Sequence, residues 1–179
     1  MFNRQFWIEQ WENFKNLFKP KDIALNIYKI DFTKLRQRGI DTLIIDVDDT
    51  LIPKTVNDIY PRVLEWVVDR KSEGFKIGLI SNSRHPLRVK YIGESLKLPA
   101  IALGFKPFPF AFWKILNLLN SKPEKSVVIG DQLFMDILGG NLLNLHTIYV
   151  KPLTEETFWA RKWMRQAEDW VLSQLRVTR

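Results

Sequence analysis

The chain has 179 residues, 46% of them hydrophobic and 26% charged, a balance that fits one globular domain with a buried core and excludes a disordered chain. It contains no cysteine, which excludes disulfides, thiolate metal sites and cysteine nucleophiles together and suits a reducing compartment. The formal net charge of +7, with a pI near 9.6, either serves solubility alone or favours anionic partners: nucleic acid, an acidic membrane surface or phosphorylated ligands.

In chain order, residues 2 to 19 place Phe6, Trp7, Trp11, Phe14, Leu17 and Phe18 on one face of a helix, with Arg4, Glu9, Glu12 and Lys15 elsewhere. Those charges interrupt the segment, so it reads as neither a signal nor a transit peptide. Short apolar runs follow at Thr42 to Val47, Lys76 to Ser81, Ala100 to Leu103, Ser126 to Gly130 and Thr147 to Val150, each of strand length. Between them lie helix-like segments. Three open with a proline, Pro61, Pro86 and Pro109, at the first turn where its missing N–H costs nothing. Gly74 and the Gly139/Gly140 pair mark breaks or close backbone approaches.

Strand and helix alternate about every 25 to 30 residues, which predicts βαβ units around a mostly parallel sheet. The whole chain, 1 to 179, reads as a single α/β domain. Its second terminal helix, about 155 to 175, is capped by Thr154 with Glu155 and Glu156 and carries Trp159, Trp163 and Trp170 beside Arg161, Lys162 and Arg165. Five of the seven tryptophans sit in the two terminal segments. They either pack onto the sheet and each other or form an interfacial surface, because tryptophan and arginine favour the headgroup zone of a bilayer. No apolar run reaches the ~18 residues of a transmembrane helix.

In an open α/β sheet, ligands bind at the carboxyl ends of the strands. The loops there hold Asp46, Asp48, Asp49 and Thr50 after the first strand, and Ser81, Asn82 and Ser83 after the second. Lys106 of GFKPFP follows the third, and Asp131 and Asp136 of GDQLFMD follow the fourth. If the strand pleat persists, Asp46 and Asp48 point to the same side. Two carboxylates so close repel each other unless a cation lies between them or one is protonated. Asp131 adds a third oxygen ligand, and an all-oxygen set suits Mg²⁺. The loop is no EF-hand, because Leu51 stands where the glycine is required. With Lys106 and Ser81 nearby, the cluster becomes a pocket for a phosphoryl dianion. Asp49 reads as a solvated loop residue.

The four segments DVDDTL, SNS, FKP and GDQLFMD, in that order, resemble the motifs of the haloacid-dehalogenase-like (HAD) superfamily, over roughly residues 40 to 150. GDQLFMDILGGN extends the likeness to the YqeG-like subclass IIIA branch, related to phosphatidylglycerophosphate phosphatases. The resemblance implies a Rossmann-like three-layer sandwich without a large cap domain, since Asp46 to Ser81 and Ser81 to Lys106 leave room only for a short flap and one βα unit each. It implies that Asp46 is the nucleophile and that Asp48 is the general acid and base. Mg²⁺ would be held by Asp46, the Asp48 carbonyl and Asp131, supported by Asp136. Ser81, Asn82, Lys106 and Thr50 would serve the phosphoryl group.

The implied enzyme is a Mg²⁺-dependent phosphatase acting on a phosphorylated substrate, with phosphatidylglycerophosphate as the best single choice. An anionic phospholipid substrate would bring peripheral membrane association and a cytoplasmic location at the inner membrane face. Two alternatives remain. One is a receiver-like phosphoacceptor, suggested by the KPF at 106 to 108, although receivers separate the acidic pair from the phosphoacceptor. The other is a phosphatase for nucleic-acid ends or small soluble esters, although no nucleic-acid-binding motif is visible.

Overall fold

The computed structural model describes residues 4–155 and 159–175. Six parallel strands form one sheet: β1 (Asp22–Ala24), β2 (Thr42–Asp46), β3 (Lys76–Ile80), β4 (Ala100–Ile101), β5 (Ser126–Gly130) and β6 (His146–Val150). Their order is β1-β6-β5-β2-β3-β4, with all five pairings parallel. β2 lies near the centre, and all five of its residues are buried, as expected of a parallel strand covered on both faces.

Around the sheet run α1 (Arg4–Asn16), α2 (Phe32–Gln37), α3 (Pro61–Ser72), α4 (Pro86–Leu96), α5 (Pro109–Leu118), α6 (Leu138–Leu142) and α7 (Trp159–Gln174). The three prolines sit at the first turns of α3, α4 and α5, as the sequence predicts. Alternation along the strands divides the core in two. Leu43, Ile45 and Val47 face Phe32, Leu35, Val63, Trp66 and Ile92 of α2, α3 and α4. Ile44 and Val128 face Ala111, Phe112, Ile115 and Leu116 of α5. The result is a three-layer α/β/α sandwich. Burying each of these large aliphatic side chains contributes roughly 1.5–3 kcal/mol. The Gly139/Gly140 pair lies in α6, where a Cβ on Gly139 would stand 2.6 Å from the Phe112 ring, so the approach to α5 requires glycine.

Two elements depart from the sequence reading. β1 is an edge strand of three residues paired to β6, too short to carry a periodic signal. The expected strand from Ala100 to Leu103 ends at Ile101, because Leu103 and Phe105 both take φ near +50°, outside the β region. A short flap, residues 47–60, separates β2 from α3. Ile52 N–H donates to the Val47 carbonyl at 3.1 Å and Asp49 N–H to the Ile52 carbonyl at 2.9 Å, so the flap folds back on itself with no inserted domain.

The terminal helices do not bury their tryptophans. Trp11, Trp159, Trp163 and Trp170 are each more than half exposed, and the Trp7 side chain lies outside the described residues. α7 turns Leu172 inward, against Leu133, Ile137 and Tyr149, with Val171 packed beside it. Glu168 is buried on the same stripe, so the buried face of α7 is built around charge.

Candidate active site

β2 ends at Asp46, β3 ends just before Ser81, and β5 ends just before Asp131. Adjacent parallel strands thus deliver these side chains to one edge of the sheet. Asp136 reaches the same place from the π-turn Leu133–Ile137, which folds tightly over the end of β5. A Cβ on Gly130 would lie 2.2 Å from the Asp136 carboxyl carbon, so only glycine permits that approach. Asp46, Asp131 and Asp136 each bring one carboxylate oxygen within 4.8 Å of the others, and all three are buried.

Lys106 is the counter-charge. Its ammonium pairs with Asp46 and, at 2.5 Å, with Asp136. The backbone around it is fixed: Lys106 N–H donates to Asn82 Oδ1 at 2.8 Å, and Asn82 Nδ2 donates to the Lys106 carbonyl at 3.0 Å. The Asn82 amide, expected to face the phosphoryl group, is therefore engaged in holding Lys106. Leu103 and Phe105 in the left-handed region cost roughly 1–2 kcal/mol each, a strain retained beside the site.

Asp48 follows a separate path. The strand ends at Asp46, so the pleat does not continue and the Asp48 carboxylate does not join the acidic cluster. It pairs with Arg88 of α4 and accepts a hydrogen bond from Ser81 Oγ at 3.3 Å. Arg88 also donates to the carbonyls of Pro53 at 3.1 Å and Val56 at 2.8 Å, tying the flap to α4. Thr50 Oγ1 donates to Asp131 Oδ1 at 3.1 Å, so its hydroxyl is spent on that acid.

Asp49 is not solvated. It is 4% exposed, with φ +62°, and accepts hydrogen bonds from Thr154 Oγ1 at 2.5 Å and Lys54 N–H at 3.3 Å. Its carbonyl accepts Leu153 N–H at 2.9 Å. The expected cap residue Thr154 therefore clamps the flap. Glu156, the other expected cap residue, lies outside the described residues.

Arg165 was not anticipated. Its guanidinium spans the Asp131 carboxylate and the Asp131 carbonyl and pairs with Glu168 at 3.2 Å. Glu168 in turn accepts Phe134 N–H at 3.0 Å. In the sequence, Arg161, Arg165, Glu168 and Leu172 share one helical stripe opposite the tryptophans, but a charged stripe reads as a solvated face.

Burial dominates the electrostatics. It raises the Asp46 carboxyl well above the carboxylate range, against Lys106 and in concert with Asp136 and Asp131. It raises Asp131 to about 6, with Arg165 opposing and Asp136 adding to the rise. Burial works against the charge on Lys106, but Asp136 and Asp46 outweigh it and hold the ammonium protonated. Glu168 is pushed up to about 7 by burial, against Phe134 N–H and Arg165.

Three acids face two cations, Lys106 and Arg165, and Asp46 Oδ2 is buried with no hydrogen-bond partner. An orphaned carboxylate oxygen beside two further acids is a donor set that fits a hard divalent cation.

This fold, with four strand-end segments converging on a buried aspartate, defines a HAD-type phosphatase, and residues 105–177 match the family model described as HAD-hydrolase-like. The chain belongs to the HAD-like family. It is 36% identical to "Probable phosphatase YqeG" of Bacillus subtilis over 162 residues, 90% of this chain and 94% of that protein. It is also 30% identical over 103 residues to "Pyrophosphatase PpaX" of Bacillus mycoides, covering 51% of this chain and 46% of that one. A solved structure of an uncharacterized protein from Listeria monocytogenes shares the fold, with a TM-score of 0.52 at 18% identity over 77% of this chain and all of that one. Membership in this family displaces the receiver-like alternative.

Proposed function

We propose that this HAD-type phosphatase is Mg²⁺-dependent and hydrolyses a phosphate monoester on a lipid headgroup, phosphatidylglycerophosphate, through an aspartyl phosphate at Asp46. The observation that carries this reading is the set of Asp46, Asp131 and Asp136 within 4.8 Å of one another around the Lys106 ammonium. Asp46, Asp131 and the Asp48 carbonyl would hold the cation, with Asp136 fixing Lys106 beside them. When bound, the cation neutralises the phosphoryl oxygens so that an anionic nucleophile can meet an anionic ester.

The residues then divide the work. The Asp46 carboxylate oxygen attacks phosphorus as the bond from phosphorus to the leaving alkoxide breaks. Asp48, in its acid form, gives its proton to that alkoxide. The resulting Asp48 carboxylate takes a proton from water, the hydroxide attacks phosphorus, and the bond from phosphorus to Asp46 breaks to release inorganic phosphate. Lys106 and Ser81 hold the phosphoryl oxygens, where fixed charge contributes more than the roughly 10² to 10⁴ of acid and base catalysis. To reach the leaving group, the Asp48 carboxyl leaves its pair with Arg88.

The lipid choice rests on the surroundings. Phe105, Phe108 and Phe110, on either side of Lys106, are 68 to 72% exposed. The exposed Trp11 of α1 and Trp159, Trp163 and Trp170 of α7, with these phenylalanines, on a chain of net charge +7 suit an anionic bilayer surface. No helix among the described residues is long and apolar enough to cross a membrane.

The test is phosphate release with Mg²⁺ from phosphatidylglycerophosphate in mixed micelles, compared with sugar, nucleotide and other small soluble esters. Turnover of the lipid, abolished in Asp46→Asn and by chelation, is expected. Rapid cleavage of soluble esters with none from the lipid removes the lipid assignment. Sedimentation with anionic liposomes tests the surface independently.

A further inference from the structure

We propose that Arg165 sets the cation affinity of the site: its guanidinium and a divalent cation compete for the Asp131 carboxylate, and α7 loosens when the cation wins. This rests on the reading above that the acidic cluster takes a divalent cation.

Both oxygens of the Asp131 carboxylate carry donors, Thr50 Oγ1 on Oδ1 and Arg165 on Oδ2. Asp131 is fully buried, so a cation that reaches its carboxylate does so beside these donors. Thr50 is neutral, and its hydroxyl can turn. Arg165 brings a full positive charge to the carboxylate that a cation would share.

The other cation of the site, Lys106, cannot yield. Asn82 clamps its backbone, it is 5% exposed, and two acids share its ammonium. Arg165 differs on each count: its side chain is 19% exposed, it lies on a long stem, and a single acid of the cluster holds it. Glu168 on Phe134 N–H and Leu172 with Val171 hold α7 to the π-turn, while its tryptophans face outward. Loss of the pair between Arg165 and Asp131 therefore removes the one link between α7 and the acidic cluster that the described contacts give. With only a short flap between β2 and α3, this makes α7 a cover whose grip depends on the state of the cation site.

The experiment titrates Mn²⁺ calorimetrically into the wild-type full chain, Arg165→Gln and Arg165→Lys, and follows hydrogen exchange of residues 159–175 with and without Mg²⁺. Removing a unit charge from beside the site should tighten Mn²⁺ binding about tenfold or more in Arg165→Gln. Arg165→Lys should fall between, since lysine keeps the charge but loses the planar fork. In the wild type, Mg²⁺ should speed exchange in α7 several-fold, and in Arg165→Gln exchange should be fast already and indifferent to Mg²⁺.

Equal or weaker Mn²⁺ binding by a folded Arg165→Gln overturns the proposal, and so does slower α7 exchange when the wild type is loaded. Should Arg165→Gln fail to fold, the wild-type exchange alone decides. A wild type that binds no divalent cation at all removes the cation reading itself, which separates that failure from failure of the role given to Arg165.

Discussion

The floor of the site and its rim are built on different principles. On the floor, Asp46, Asp131 and Asp136 are fixed by strand ends and a π-turn and are buried, and Asp46 and Asp136 share one clamped lysine. On the rim, Arg88 and Arg165 reach in from α4 and α7, Arg88 pairing with Asp48 and Arg165 with Asp131 and Glu168, and both bonding to backbone carbonyls. The floor concentrates charge that nothing local can relax. The rim supplies charges that can swing away, as a site needs if it must admit cation and substrate. The difference predicts that floor substitutions damage chemistry or the fold outright, whereas rim substitutions tune affinity and local order.

The largest effect belongs to Asp46→Asn. As the proposed nucleophile, its loss should lower turnover by about 10⁴-fold or more with the fold intact. Retained activity with native thermal unfolding would move the nucleophile elsewhere. Lys106→Met should come next, because Asp46 and Asp136 are then left buried without their cation, a change that costs roughly 3–5 kcal/mol. Added Mg²⁺ should restore part of the lost melting temperature, whereas a chelator should not. A Lys106→Met protein that melts like the wild type would show that the buried acids balance each other in another way.

On the rim, Glu168 gives a pH dependence with a definite sign. Its folded value of about 7 lies above the ordinary 4.5, so between those values the folded chain binds the proton more tightly than the unfolded chain. The Glu168 contribution is then fully present below about pH 4.5 and is lost as pH rises through 7, amounting to about 3 kcal/mol. Glu168→Gln should flatten the fall in stability between pH 5 and 7, read by denaturant unfolding. A slope unchanged by the substitution would mean that Glu168 stays ionised in the folded chain.

The same division explains what could be read from sequence. The floor residues follow apolar runs of strand length, so periodicity located each strand end and the acids came with it. Arg88, Arg165 and Glu168 lie inside helices where charge normally faces water, and nothing local marks them as buried. Asp49 was misread for a related reason: its partners Thr154 and Leu153 are more than 100 residues away, and only the folded sheet brings β6 beside the flap. The terminal tryptophans were open to two readings: Trp11, Trp159, Trp163 and Trp170 are each more than half exposed, and Trp11 also stacks on Phe14.

The smallest predicted effect separates two roles for Thr154. As a helix cap, its replacement by valine should lower the helical circular dichroism signal from α7 and act independently of the flap. As a clamp on Asp49, Thr154→Val should cost about 1 kcal/mol, the usual worth of one hydrogen bond, and leave helicity unchanged. Asp49→Asn is the partner substitution, because asparagine tolerates the left-handed φ at that position. If the clamp is real, the two substitutions share one interaction, and the double variant should lose less stability than the sum of the singles. Strict additivity in that cycle would place Thr154 and Asp49 in separate parts of the rim and leave Arg88 as the main tie on the flap.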